Sequence, residues 1–170
     1  MKTLRRLVAM AIAGGAIYLA YAFCWAPMIC NHVERHLRAL AATALDATDY
    51  RAPLLARTIL EGVRDCDDHC APNIGIAMIK ALSERLVGRP ADAVRTYQHA
   101  MRYASRPELY LDLGLALAED HRREEAVNAL MIAVEAAPTF SESILDGELK
   151  LTVENAVRQR NQKLRERQGS

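Results

Sequence analysis

The chain has 170 residues, with 22 Lys and Arg against 21 Asp and Glu and a net charge of +1. That length suffices for one domain with a real core, and the charge balance lacks the basic excess that nucleic-acid binding requires, so that class is set aside. Hydrophobic residues make up 51% but aromatic residues only 5%; Ala and Leu dominate and no run alternates apolar and β-branched residues with polar ones, which predicts an all-α protein.

At the N-terminus Lys2, Arg5 and Arg6 precede an uncharged stretch of 24 residues from Leu7 to Cys30. As a helix this stretch measures about 36 Å, enough to cross a bilayer core. A cleaved signal peptide is the competing reading, with an apolar region from Leu7 to Leu19 and a small-x-small site at Ala20-Tyr21-Ala22. The apolar run continues past Ala22 through Phe23 to Ile29, and Trp25 suits an interfacial belt, which favours an uncleaved anchor. Neither Cys24 nor Cys30 follows the small residues of a lipoprotein signal. The basic tail stays cytoplasmic by the positive-inside rule, so both readings export the remainder of the chain. The Ala- and Arg-rich composition points to a bacterial inner membrane with a periplasmic C-terminal domain, or to the periplasm itself after cleavage near Ala22.

Beyond the apolar stretch the periodicity predicts helices joined by short turns. Asn31 is placed to cap a helix from about His32 to Leu45, and a second runs from about Tyr50 to Arg64 with Pro53 in its first turn. Cys66 to Asn73 reads as a loop, with Asn73 capping a third helix from Ile74 to Val87. Gly88-Arg89-Pro90 makes a tight connection to a fourth helix, Ala91 to Tyr103. Helices at about Glu108 to Glu119 and Arg123 to Ala136 follow. A last helix from about Glu142 to Arg165 is apolar at Leu145, Leu149, Val153, Ala156 and Val157, then becomes strongly polar from Arg158 onward.

The stretch 107–138 reads PELYLDLGLALAEDHRREEAVNALMIAVEAAP. Tyr110, Leu113, Gly114, Leu117, Ala126, Leu130, Ala133 and Pro138 fall in order. Leu113 and Leu117 share one helix face, Gly114 leaves room for a neighbouring helix, and Ala126 and Ala133 flank Leu130 on the second helix. Pro138 ends the unit. The pattern resembles the tetratricopeptide repeat (TPR), a helical hairpin of about 34 residues. Ala93, Tyr97 and Ala100 repeat the second-helix pattern at an offset of 33, and Ala56, Leu60 and Val63 repeat it 37 residues earlier still. The first helix of the middle unit departs from it: the same offset puts Lys80 where Leu stands and Glu84 where a large apolar residue stands, unless the register shifts to Met78 or Leu82.

The resemblance implies a short right-handed TPR-like α-solenoid over 31–140, preceded by the tail and anchor of residues 1–30 and closed by a capping helix and polar tail over 141–170. In such repeats the first helices of the hairpins line a groove for an extended peptide or a partner helix. Carried over, that groove comprises Glu108, Leu111, Leu115, Ala118 and Glu119, with Met78, Leu82 and Arg85 in the middle unit. Leu111 and Leu115 are either apolar anchors for a partner or are covered by the neighbouring helix.

Chemistry-bearing residues are few. Cys66 and Cys70 flank a loop at a spacing that admits a disulfide, and export would permit one. His32 and His36 stand four apart, but nothing in the sequence brings them to the Cys66–Cys70 loop, so no metal site is expected. No Gly-x-Ser-x-Gly, phosphate loop or Gly-x-Gly-x-x-Gly occurs, and no cofactor is expected. The expected role is a non-enzymatic, membrane-tethered adaptor for a protein of an envelope complex. The alternatives are a small accessory subunit that binds through residues 7–30 and, less favoured, a redox or metal protein using the Cys66–Cys70 loop.

Overall fold

The computed structural model describes residues 26–47, 50–67 and 73–168, and every element within them is helical. The order is α1 Ala26–Asp46, α2 Arg51–Asp67, α3 Ile74–Leu86, α4 Pro90–Ala100, α5 Pro107–Glu119, α6 Arg123–Ala136, a 3₁₀ helix Pro138–Ser143, and α7 Gly147–Gln168. No described helix is long and apolar enough to cross a membrane. The expected anchor or signal lies almost wholly in residues 1–25, outside the described residues.

Local chemistry accounts for most helix ends. Asn73 caps α3: its Oδ1 accepts the Gly75 N–H at 2.7 Å. Gly88 turns the chain into α4 at φ 75°, a left-handed conformation that glycine adopts without strain. Pro90 and Pro107 open α4 and α5, where their missing N–H costs nothing. Helix α2 runs on to Asp67, so Cys66 lies in the helix and not in the expected loop, and two helix starts differ from the expected ones. Helix α1 begins at Ala26, so Asn31 lies inside it and does not cap; Pro27, in the first turn, is no barrier there. Helix α7 begins at Gly147, because Asp146 Oδ1 accepts the N–H groups of Glu148 and Leu149 at 2.9 and 3.0 Å. Leu145 thereby falls outside the helix and is 94% exposed, while Ile144 is buried in its place.

The helices pack as successive antiparallel pairs, α1–α2, α3–α4 and α5–α6, and α1 and α5 each also touch α3. Each apolar cluster spans more than one pair. Leu37, Ala41, Ile59, Val63, Ile76 and Ile79 join α1, α2 and α3. Ala81, Val94, Tyr97, Leu109, Leu117 and Ala126 join α3 to α6. Leu130, Val134, Ile144, Leu149 and Val153 close the end under α7. No pair therefore buries its apolar surface alone.

Gly114 shows how tightly the last pair is fitted. A Cβ there would lie 2.5 Å from Leu130 Cγ, so α5 and α6 approach only because the side chain is absent. Gly75 plays the same part between α1 and α3, where a Cβ would meet the Glu34 carboxylate. That carboxylate accepts from Asn73 Nδ2 and from Arg38, each at 2.6 Å, and ties the first pair to the second. The middle pair keeps the unshifted register. Ile76, Ala81 and Ser83 are buried where Leu109, Gly114 and Ala116 stand 33 residues later. Glu84 occupies the Leu117 position and is 6% exposed, its carboxylate accepting from Thr96 Oγ1 at 2.8 Å.

Candidate functional site

The residues expected to line a groove fall into two groups. Leu111, Leu115 and Ala118 are half-buried and pack against the cluster of Leu130, Val134, Ile144, Leu149 and Val153. Part of their apolar surface is thus in contact with α6 and α7. Leu82 packs against the α1–α2–α3 cluster and Met78 against the α3–α6 cluster. The terminal residues behave differently. Arg85 and Glu119 join the ends of α3 and α5 through two bonds, Nε to Oε2 at 3.0 Å and Nη2 to Oε1 at 2.5 Å. The Arg85 side chain is 15% exposed and that of Glu119 45%. Burial opposes the Arg85 charge, but the bidentate bond to Glu119 outweighs it and holds the guanidinium above its usual basicity.

Two residues absent from the expected groove complete this seam. Asp112, on α5, is half-buried and acts electrostatically on Arg85 across the gap. Desolvation pushes its carboxyl up to about 6; Arg85 opposes that rise and Glu108, one turn away on α5, adds to it. Tyr97, on α4, forms the floor. Its side chain is fully buried, and its hydroxyl has no hydrogen-bond partner. Burial lifts the phenol well above its ordinary range, Asp112 adding to the effect. Arg85 stands close enough to act on the hydroxyl, yet no hydrogen bond of proper geometry forms.

The seam is therefore a strip of charge set over apolar packing, with a phenol beneath it. The sequence carried a signal for it: Glu108, Asp112, Leu115 and Glu119 recur at spacings of four, three and four, one face of a helix. Asp112 escaped because a single acid on a helix reads as solvated. No family model matches the chain, nor does any curated protein or solved structure.

Other candidate groups lie apart from it. His32 and His36 are exposed on α1. No group of three His, Cys, Asp or Glu able to hold a metal ion occurs among the described residues. Cys30, half-buried on α1, is disulfide-bonded. The expected Cys66–Cys70 bridge falls outside the described side chains.

Proposed function

We propose that the chain is a non-enzymatic adaptor that binds a partner protein along the face shared by α3 and α5. In this reading residues 31–140 form a short right-handed TPR-like solenoid and α7 caps its end. Residues 7–30 hold it at a bacterial inner membrane with the helices in the periplasm, or are removed near Ala22. The observation that carries the reading is the seam of Arg85, Asp112 and Glu119 over Tyr97. Asp112 on α5 and the Tyr97 hydroxyl on α4, for which no hydrogen bond forms, stand there beside the Arg85–Glu119 pair that joins the first helices α3 and α5. Buried polar groups are costly unless satisfied, and a bound partner is what would satisfy these. The recurrence of Ile76, Ala81 and Ser83 at the positions of Leu109, Gly114 and Ala116 supports the repeat architecture that would present such a face.

Site-specific photo-cross-linking in cells tests this. A benzophenone side chain at Met78, on the same face of α3 as Arg85, is expected to capture one protein partner. The same probe at Arg95 or Asn128, exposed on second helices, is expected to capture none. Capture only from positions within residues 7–30 would sink the groove and leave an accessory subunit held by its apolar segment.

A further inference from the structure

We infer that the disulfide at Cys30 runs to Cys66 and staples α1 to α2 at the open end of their hairpin. The pairing is independent of what the α3–α5 face binds. Cys30 is half-buried on α1 and its sulfur is bonded. The other cysteines of the chain are Cys24, Cys66 and Cys70. Cys24 precedes α1 and Cys70 follows α2, whereas Cys66 lies within α2, one residue before its end. On α1, Val33, Leu37, Leu40 and Ala44 face the shared apolar cluster, and Cys30 extends that stripe by three residues. On α2, Leu55, Ile59 and Gly62 form the matching stripe, and Cys66 extends it by four.

The register of the two helices is a second, independent observation. A Cβ at Gly62 would lie 3.1 Å from Leu37 Cδ2, so these two positions face each other. From Leu37 back to Cys30 is about 10 Å along α1, and from Gly62 on to Cys66 about 6 Å along α2. The Leu37 side chain leans toward the start of α1, which takes up most of the difference. Cys30 and Cys66 therefore stand at nearly one level on facing stripes. Helices packed 8–10 Å apart bring facing Cα atoms to about 5 Å, within the span of a disulfide. The bond forms by thiol–disulfide exchange with a disulfide oxidant: one thiolate attacks it, the second displaces the mixed disulfide, and the oxidant leaves as two thiols with the two electrons and two protons. A terminal pair of a solenoid packs on one side only, and the bond holds α1–α2 closed where α7 covers the other end.

The test is peptide mapping of the full chain in detergent micelles, oxidised with glutathione disulfide, with remaining thiols blocked by iodoacetamide. Digestion without reduction uses chymotrypsin and an Asp-specific protease. Cleavage after Trp25 separates Cys24 from Cys30, and cleavage before Asp67 separates Cys66 from Cys70. Mass spectrometry is expected to find the Cys30 and Cys66 peptides joined. The Cys24→Ser, Cys70→Ser chain should form the bond in full. The bond closes a loop of about 36 residues, so dithiothreitol should lower the melting midpoint by about 10 °C. Cys30→Ser and Cys66→Ser should each lower it equally and abolish the response to reductant. Cys30 joined to Cys24 or Cys70, an alkylated Cys30, or a Cys66→Ser protein that still melts lower on reduction overturns the inference. Where a single variant fails to fold, the joined peptide of the Cys24→Ser, Cys70→Ser chain decides, and its absence is equally fatal.

Discussion

The α5–α6 pair and the α3–α4 pair follow one 33-residue register but fill it with different chemistry. In the last pair the inner positions hold Leu113, Gly114, Leu117 and Leu130; in the middle pair they hold Lys80, Ala81, Glu84 and Tyr97. Both pairs are closely packed, since Ala81, Tyr97 and Leu130 are each wholly buried. The register thus demands volume and close approach, and accepts polarity where a neighbour answers it, as Thr96 answers Glu84. The middle pair gives up some apolar burial and gains polar groups, and the seam forms beside those groups.

The comparison breaks most readily at Leu130. It is fully buried under α7 and packs over Gly114, so Leu130→Ala should cost about 3–5 kcal/mol in denaturant unfolding. Gly114→Ala should cost about 1–3 kcal/mol, because the new Cβ meets Leu130 at 2.5 Å. The opposite change in the middle pair, Ala81→Gly, should cost only about 1 kcal/mol, mostly lost helix propensity. If Gly114→Ala proved as mild as Ala81→Gly, the two pairs would not differ in the closeness of their helices.

These contrasts mark where the sequence sufficed. The α5–α6 pair was legible throughout because Pro107, Gly114 and Pro138 encode its ends and its contact locally. The start of α1 was not, because Asn31 looks like a cap at the end of the apolar stretch, whereas the helix already runs through it from Ala26. The start of α7 was missed because Asp146 caps and Leu145 only looked periodic. Leu111 and Leu115 fit a groove by spacing, but whether α7 covers them is a question of tertiary packing. Asp112 matters through a charge on a different helix, which no local period reveals.

The seam supplies a prediction of opposite sign. The Asp112 carboxyl is raised from 3.8 in the unfolded chain to about 6 in the fold, so the folded state binds more protons between these values. Stability should therefore fall as pH rises through that window and remain lower at pH 7. Glu84, raised by burial against the bond from Thr96, acts in the same direction from its ordinary value upward. Asp112→Asn should remove the larger share of the fall and leave the protein on the order of 1–2 kcal/mol more stable at pH 7. Denaturation midpoints measured from pH 4 to pH 7.5 check both sign and window.

The smallest expected change is the most discriminating. Tyr97 stands where Leu130 stands in the next pair, and both side chains are fully buried. Tyr97→Phe keeps the ring and removes only a hydroxyl without a partner. Deleting an unsatisfied buried hydroxyl should be neutral or stabilising by up to about 1 kcal/mol, whereas losing a hydrogen-bonded one would cost about that much. A melt lowered by Tyr97→Phe would mean that the phenol bonds Arg85 in the free protein. The middle pair's polarity would then serve its own fold, and the difference between the two pairs would lie in packing alone.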